Sequence, residues 1–168
     1  MKKFVSLALA AVLSVSLLAG CGSKNVPETT APQQTTAAPA VSVEGTMEEL
    51  LNKVIAENPV EFMGGVIPVD LTDTSEDGLW ALKSYTGLDT AEAITEAAVY
   101  EPMMGSMAFS MVMVRVSEGS DPKAVAENMK AGIDTRKWIC VEANDVMAAG
   151  YGDVVMFIML DNSNGMNA

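Results

Sequence analysis

The fold of this 168-residue chain is decided by one run of nine residues, Ala108-Phe109-Ser110-Met111-Val112-Met113-Val114-Arg115-Val116. Apart from Ser110 and Arg115, every side chain in it is apolar, with Val, Met and Phe predominating. Because an extended chain would then be apolar on both faces, the run predicts a central strand that is covered on each side.

Two further strands are predicted around this one. The loop 103–106 predicts a hairpin with a preceding strand that ends at Glu101. The segment 90–98 is ambiguous between helix and strand, and the preferred interpretation is a short helical start that runs into this preceding strand. Near the end of the chain, a turn over 151–153 leads into an apolar strand over 153–160.

The stretch between these strands predicts a helix. Ser120-Asp121-Pro122 places a cap and a proline at the positions that begin helices. Val125, Met129 and Ile133 then lie on one face. After this helix, residues 138–142 predict another strand and residues 145–149 a turn or short helix.

A capping box, Thr46-Met47-Glu48-Glu49, predicts the first helix of the folded part. The proline of Asn58-Pro59 ends it. Its apolar stripe follows helical spacing and consists of Met47, Leu50, Leu51, Val54 and Ile55. The run 66–71 comes next and contains Pro68, so it is at most an edge strand.

A second, shorter helix is predicted between this edge strand and the hairpin. Thr74 or Ser75 caps it, and Thr86-Gly87 stops it after Tyr85. We expect this helix to bury the side chains of Leu79, Leu82 and Trp80.

Together these elements predict an α+β fold. Helices and strands mix without a regular βαβ alternation, which favours a mostly antiparallel sheet of about four strands packed with two or three helices. Residues 46–162 form this single domain, which is long enough to bury a core. The polar tail 163–168 is predicted to fray.

The start of the chain is typical of a bacterial lipoprotein. A positive Met1-Lys2-Lys3 and an uncharged apolar run precede Leu18-Ala19-Gly20-Cys21, which has the residue order of a lipobox. Residues 1–20 are therefore predicted to be a signal peptide. Cleavage before Cys21 leaves this cysteine as the first residue, carrying a covalent diacylglycerol whose two acyl chains hold a protein stably at a membrane. In the alternative, an ordinary peptidase cuts at Ala19 or Gly20 and Cys21 is incidental.

A tether is predicted to follow the lipidated cysteine. Residues 21–45 are rich in Thr, Ala, Pro and Gln and have few large apolar side chains. Such a segment buries too little surface to offset its chain entropy, so it is predicted to be disordered. About 20 extended residues at about 3.1 Å each span up to about 60 Å.

The charge of the chain limits its partners. Its formal net charge is −12, and removing residues 1–20 takes away Lys2 and Lys3 and no acid, which leaves −14. This balance excludes nucleic acid and argues against docking on anionic headgroups. Membrane attachment therefore depends on the lipid, at the extracytoplasmic face of the cell membrane, and a surface protein or the cell wall is the expected partner.

The chain contains no histidine, and this excludes every catalytic or metal site that requires a histidine side chain. Catalytic Ser-His-Asp and Cys-His groups are excluded, as are His-ligated zinc, iron and copper sites. No cofactor is expected besides the lipid. Once Cys21 is lipidated, Cys140 has no disulfide partner and is predicted to be a buried structural thiol.

Two segments offer metal-binding alternatives. Methionine thioethers are ligands for Cu(I), but methionine also fills gaps in cores and scavenges oxidants. Packing and oxidant scavenging are the preferred roles for the methionine cluster, which consists of Met103, Met104, Met107, Met111 and Met113. The acidic segment 70–77 is a calcium alternative. Its spacing does not match an EF-hand, and Glu76 and Asp77 suit the start of a helix. We therefore predict no metal site.

Arg115 is the candidate ligand-binding residue, because it interrupts an apolar strand. The Arg115 side chain must reach solvent or pair with a carboxylate of the protein. The functional alternative is that it contacts an anionic ligand. The other scarce basic residues include Lys130, Arg136 and Lys137. Aromatic side chains can line a sugar-binding surface, although core or rim packing is the preferred role for Trp80, Tyr85, Tyr100, Trp138 and Tyr151.

Several short motifs carry a family resemblance: Tyr85-Thr86-Gly87-Leu88-Asp89, Glu101-Pro102-Met103-Met104, the strand through Arg115, the helix with Arg136, and Gly152-Asp153-Val154-Val155. Together with the lipobox and the Thr/Pro-rich tether, they resemble an uncharacterised lipoprotein domain of Gram-positive bacteria, domain of unknown function family 4358, over about residues 46–160. The resemblance implies location and architecture, and it brings no catalytic residues.

Three functions are compatible with these features. The first is a non-enzymatic, membrane-anchored lipoprotein whose domain binds a partner at the cell surface. The second is a ligand- or metal-binding accessory protein of a transporter, with Arg115 and the methionine cluster 103–113 as its candidates. The third is a carboxylate-dependent cell-wall hydrolase, which requires two acids in one cleft.

Overall fold

The structure is a computed structural model that describes residues 41–163. The signal peptide, the lipobox with Cys21, most of the tether and the end of the tail lie outside these residues. The described part contains three helices and five strands: α1 (Met47–Glu57), β1 (Gly64–Pro68), α2 (Glu76–Thr86), β2 (Ile94–Pro102), β3 (Phe109–Val116), α3 (Pro122–Gly132), β4 (Asp145–Tyr151) and β5 (Val154–Leu160). The predicted α+β fold is confirmed.

The sheet is antiparallel and has the strand order β1-β2-β3-β5-β4. As predicted, β3 lies at the centre, paired with β2 on one side and β5 on the other. Every β3 residue except Arg115 is buried. The β2–β3 hairpin and the edge position of β1 are also confirmed. A helical start before β2 is not present, because residues 91–93 form a turn and β2 begins at Ile94.

The two faces of the sheet bury separate cores, so α2 and α3 cover one face and α1 the other. Under α2 and α3, Leu82, Val125 and Met129 pack against a layer that includes Val99, Val112, Val114, Val155 and Phe157. On the opposite face, Met47 and Leu51 of α1 pack on Met111, Met113 and their neighbours. A run that is apolar on both faces is therefore matched by helices on both faces.

The helix boundaries follow the local signals in the sequence. The Thr46 hydroxyl accepts from the Glu49 N–H at 3.1 Å and the Glu49 carboxylate accepts from the Thr46 N–H at 3.0 Å, which completes the capping box. Ser75 caps α2, and Gly87 ends it in the left-handed conformation. Asp121 caps α3, which ends at Gly132, before Arg136.

The buried face of α2 differs from the prediction. Leu82 is buried, but Leu79 and Trp80 are exposed. The helix instead buries Gly78, Leu82 and Thr86, which are four residues apart and so lie on one stripe. Leu79 and Trp80 follow Gly78 by one and two residues, and this rotation turns them toward solvent.

Three predictions near the end of the chain are wrong. Residues 138–142 form irregular backbone instead of a strand. Cys140 is exposed instead of being a buried thiol, because it lies in this irregular segment with a φ of 63° that no strand residue adopts. Residues 145–149 form most of β4 instead of a turn or short helix. Pairing with β5 explains this outcome, because every residue of β4 has a partner in that strand.

The turn predicted at 151–153 is confirmed and joins β4 to β5. Tyr151 pairs with Val154, so the loop consists of Gly152 and Asp153 alone. Gly152 has a φ of 59°, as the first loop position of a type II′ turn requires. Among the described residues, no helix is both long and apolar enough to cross a membrane.

Candidate functional site

One end of the sheet holds the residues that join the predicted tether to the domain; we call residues 41–45 the tether junction. The Asp153 carboxylate accepts from the Val43 N–H at 2.8 Å and from the Ser42 hydroxyl at 3.1 Å. The Asp153 N–H donates in turn to the Val41 carbonyl at 3.2 Å. The junction is therefore fixed to the β4–β5 turn, although the sequence placed these residues in the disordered tether.

Arg115 completes this attachment from the end of β3. Its guanidinium contacts Asp153 Oδ2 at 2.7 Å and Glu96 Oε2 at 3.4 Å. It also donates to the carbonyls of Val43, at 3.1 Å, and Gly45, at 2.5 Å. Of the two roles expected for Arg115, reaching solvent or pairing with a carboxylate, the structure shows pairing. All three guanidinium nitrogens already donate to protein oxygens, and we call this arrangement the Arg115 clamp.

The clamp also reaches the first helix. Glu96 Oε1 accepts from the Met47 N–H at 2.8 Å, which satisfies a donor that the first turn of α1 leaves free. Burial raises the pKa of Asp153, but hydrogen bonds from the Val43 N–H, Arg115 and Ser42 outweigh it. The pKa of Asp153 therefore lies below its ordinary value. A lowered pKa means that the folded state favours the charged carboxylate.

A second polar cluster lies at the opposite end of the sheet, on the face covered by α2. Lys137 Nζ contacts Glu101 Oε1 at 2.6 Å and Ser110 Oγ at 3.3 Å, and the Ser110 hydroxyl donates to the same carboxylate oxygen at 2.6 Å. Lys137 also donates to the carbonyl of Ser84, in the last turn of α2, at 3.2 Å. Only 9% of the Lys137 side chain is exposed.

Two aromatic rings flank this lysine. Its Nζ lies 5.0 Å from the centroid of Tyr85 and 5.2 Å from that of Trp138, within the range of cation–π contacts. Burial lowers the pKa of Lys137, while the Glu101 carboxylate opposes this shift. Burial and the charge of Glu101 raise the pKa of Tyr85. Ser110 is completely buried, so a substrate has no access to its hydroxyl, and we assign the cluster to holding the chain together.

Exposed apolar side chains lie at the same end of the sheet as this buried cluster. Met63, Met103, Met104 and Ile139 have between 58% and 78% of their surface in contact with solvent, and we call this group the distal surface. The Met103 N–H donates to the Met63 carbonyl, and the Ile139 N–H donates to the Gly105 carbonyl, each at 3.0 Å. These bonds hold three separate segments of the chain at one end of the sheet.

The tether junction and the distal surface lie at opposite ends of the central strand. Arg115 is near the end of β3, whereas the Met103–Met104 loop precedes its first residue, Phe109. At about 3.4 Å per residue, the eight residues of β3 separate the two ends by about 24 Å. The structure therefore does not bring Arg115 together with Met103 and Met104, which the sequence grouped as candidates for one ligand site.

The other candidates for metal or sugar binding are dispersed. Met111 and Met113 are buried against α1, while Met103 and Met104 are exposed. In the acidic segment 70–77, hydrogen bonds within the loop hold Asp70 on Thr72 and Asp73 on Ser75, and they lower the pKa of each carboxyl. No group of three or more metal-ligating His, Cys, Asp or Glu side chains occurs within residues 41–163.

The five aromatic candidates have different environments. Tyr100 is buried, on the face that α1 covers, and Tyr85 and Trp138 flank Lys137 on the other. Trp80 and Tyr151 are exposed on α2 and β4. The preferred role of core or rim packing is confirmed for Tyr85, Tyr100 and Trp138.

Sequence reasoning named Ser110 and Lys137 singly and missed their association with Glu101. One signal was present: Ser110 is a lone hydroxyl in a strand apolar on both faces, and a buried hydroxyl requires a hydrogen-bond partner. Its partner Glu101 lies on the neighbouring strand of the predicted β2–β3 hairpin. The contact with Lys137 depends on the loop 133–144 folding back over the sheet, which no local pattern encodes.

Comparisons of this chain with protein-family models, with curated proteins and with solved structures found no match. The resemblance to the lipoprotein domain named above therefore stays a prediction.

Proposed function

We propose that this chain is a lipid-anchored extracytoplasmic protein whose domain is a non-catalytic interaction module, presenting its distal surface to a partner protein at the cell membrane. One observation carries the proposal. The last residues of the predicted tether are fixed at one end of the sheet, and the largest exposed apolar side chains of the β1–β2–β3 region lie at the other. A lipid on Cys21 would then attach the domain by the end opposite the distal surface and leave that surface free to meet a partner.

The composition of the distal surface favours a protein partner. Clustered exposed apolar side chains mark interaction sites on soluble domains. Methionine is enriched in protein interfaces, because its flexible thioether adapts to the shape of a partner. A bilayer is disfavoured as the partner, since the chain carries a net charge of −12 and anionic headgroups would repel it.

The buried Lys137 cluster holds chain segments that are adjacent in sequence to residues of the distal surface. Lys137 and Trp138 both contact Glu101, which lies just before the Met103–Met104 loop, and Ile139 follows them in the chain. A surface whose backbone is already ordered loses less conformational entropy when a partner binds. Ordering the backbone of the distal surface is therefore a role for this buried polar network that does not require catalysis.

The anchor is tested with Cys21→Ser. Wild-type chain expressed in a bacterium with lipoprotein processing is expected to incorporate a palmitate analogue and to sediment with membranes. Cys21→Ser is expected to lose both properties while keeping the folded domain. Membrane association that is unchanged in Cys21→Ser would contradict the proposal.

The partner surface is tested by site-specific photocrosslinking in intact cells. A crosslinking residue at Met104 is expected to give a discrete protein adduct, whereas one at the exposed Lys53 of α1 is expected to give none. Met63→Ser with Met103→Ser should remove the adduct. Leu79→Ser, which alters an exposed apolar side chain outside the distal surface, should leave it unchanged. Equal adducts from both positions, or none from Met104, would refute the role of this surface.

A further inference from the structure

The methionines of the described residues divide into two groups by exposure. Met63 and Met103 have 78% and 75% of their surface open to solvent, and Met104 has 58%. At the other extreme, five methionines are buried with 6% exposure or less: Met47, Met111, Met113, Met129 and Met159. The three most exposed thioethers within residues 41–163 therefore all belong to the distal surface.

Two of these methionines lie opposite each other on neighbouring segments. The pairing of β1 with β2 ends at Gly64 and Pro102. Met63 and Met103 are the next residues outward, and the Met103 N–H donates to the Met63 carbonyl at 3.0 Å, which continues the pairing by one residue. Residues directly opposite in antiparallel strands point to the same face, with Cβ atoms about 4.5–5.5 Å apart. The two thioethers therefore form one exposed apolar unit.

Exposure matters because thioethers react with two-electron oxidants. In the reaction with hydrogen peroxide, the sulfur attacks one peroxide oxygen, the O–O bond breaks and an S=O bond forms, and the second oxygen leaves as water with both protons. The sulfur is thereby oxidised by two electrons and the peroxide is reduced. The product, methionine sulfoxide, is polar where the thioether was apolar. An oxidant in solution reaches the distal thioethers directly, whereas packed side chains cover the core thioethers.

We propose that Met63, Met103 and Met104 form a reversible oxidation site, at which hydrogen peroxide releases the partner from the distal surface. This inference rests on the proposed function, since it describes the regulation of that same surface. An interface built for apolar side chains would have to bury the sulfoxide oxygen unpaired, and this costs binding free energy. Methionine sulfoxide reductases restore the thioether. They release the oxygen as water and oxidise a dithiol to a disulfide.

Oxidation at the distal surface would leave the core intact. None of the three side chains belongs to the hydrophobic clusters formed within residues 41–163. The hydrogen bonds that hold their segments use backbone atoms, from the Met103 N–H to the Met63 carbonyl and from the Met107 N–H to the Met104 carbonyl at 3.3 Å. A sulfoxide at Met129 would instead place a polar group in the core and destabilise the fold. Oxidation can therefore change recognition while the domain stays folded.

Selectivity for these methionines is tested on the secreted chain with Cys21→Ser. Cys140→Ser is added, because the exposed thiol would compete for the oxidant. Peptide mapping by mass spectrometry during peroxide treatment is expected to show sulfoxide at the three distal methionines before any buried methionine, with unchanged circular dichroism. Equal rates at exposed and buried methionines, or loss of the folded signal, would overturn the proposal.

Release of the partner is tested with the same chain carrying a photocrosslinking residue at Ile139, which leaves all three methionines in place. The purified chain is oxidised, freed of peroxide and added to spheroplasts, so the partner never meets the oxidant. The untreated chain is expected to give a discrete protein adduct. Oxidation should lower its yield at least about tenfold, the effect of burying one unpaired polar group. Repair with sulfoxide reductases for both epimers and a dithiol should restore the adduct.

Two variants assign the effect to the distal methionines. Combining Met63→Leu, Met103→Leu and Met104→Leu keeps an apolar surface that peroxide does not oxidise, so its adduct should survive treatment. Met147→Leu, which alters an exposed methionine of β4, should leave the loss of adduct unchanged. An oxidised wild type that keeps its adduct, a loss that repair does not reverse, or a leucine variant that loses its adduct on treatment would overturn the oxidation site and leave the proposed partner standing. No adduct from the untreated chain would refute the proposed partner and this inference with it.

Discussion

At the scale of single residues, Arg115 joins four parts of the molecule. It lies on β3 and contacts Glu96 of β2, Asp153 of the β4–β5 turn and two carbonyls of the tether junction. Arg115→Met removes these contacts and leaves two carboxylates without their cation. We expect a loss of about 3 kcal/mol in the free energy of unfolding, measured by urea denaturation.

A matched control for this variant is Arg136→Met. Arg136 pairs with Glu142 at 3.7 Å, and both side chains are largely exposed, so its loss should cost about 0.2–1 kcal/mol. Hydrogen exchange adds a local readout. Amides of the tether junction should lose protection in Arg115→Met and keep it in Arg136→Met. Equal stability of the two variants would show that the clamp contributes nothing beyond a surface ion pair.

Asp153 makes the stability of the clamp dependent on pH. Its pKa in the folded state lies below the ordinary value of 3.8, so the folded state binds this proton less readily than the unfolded chain does. The contribution of the charged carboxylate is complete above about pH 5 and is lost as the pH falls below 3.8 toward the lowered pKa. Wild type should therefore exceed Asp153→Asn in stability at pH 7, and this difference should shrink toward pH 3 in urea titrations. A constant difference would contradict this assignment.

Lys137 and Glu101 provide a coupled pair on the other side of the sheet. Lys137→Met leaves the Glu101 carboxylate and the Ser110 hydroxyl in a buried site without their cation, and we expect a loss of about 3–5 kcal/mol. Adding Glu101→Gln to this variant should cost less than the two single changes together, because the charge is then absent from both partners. Additive losses in urea denaturation would show that the two groups act independently.

At the scale of elements, α2 and α3 meet at a glycine. Gly87 ends α2 with a φ of 75°, and a side chain there would collide with the Met129 carbonyl of α3. A left-handed alanine alone costs about 1–2 kcal/mol, so Gly87→Ala should destabilise the domain by more than this amount in urea denaturation. Gly119→Ala is the control. Gly119 has a φ of 85° and open space around it, so it reports the backbone cost without a collision. Equal losses would mean that the helix contact adds nothing.

Elements with strong local signals were predictable from the sequence, and those that depend on pairing were not. The caps at Thr46 and Asp121 and the apolar run of β3 encode their own structure. In contrast, β4 contains Ala148, Ala149 and Gly150, which have low strand propensity, and it is extended because β5 lies beside it. Residues 138–142 have the opposite character: their composition is strand-forming, but they lie outside the sheet, with Trp138 packed on Lys137 and with Ile139 and Cys140 exposed.

The candidate site was predictable to a similar degree. The pairing of Arg115 followed from one rule, that a cation in an apolar strand needs a partner, but the identity of Glu96 and Asp153 required the register of three strands. For the distal surface, the loop position of Met103 and Met104 was predictable from the sequence. The approach of Met63 and Ile139 was not, because both belong to segments that are distant in sequence and meet this loop only in the folded chain.

At the scale of the whole molecule, the sheet separates the tether junction from the distal surface. The tether junction is fixed at one end by the Arg115 clamp, and the distal surface lies about 24 Å away at the other. Force or motion transmitted through the tether would therefore reach the strands through β2, β3 and the β4–β5 turn and not through the distal surface. This separation permits the two ends to change independently, which is why the clamp variants and the distal variants above are expected to have different effects.

Cys140 tests the fold and the proposed location together. The chain has two cysteines, and the proposed lipidation of Cys21 would leave Cys140 as the free thiol of the processed protein. Cys140 is exposed and follows Ile139 of the distal surface. A membrane-impermeant maleimide should therefore label the native protein on intact spheroplasts, and Cys140→Ser should abolish the signal. Labelling only after lysis would contradict the extracytoplasmic location. Labelling that also requires denaturant would mean that residues 138–142 are buried as the strand that their composition predicts.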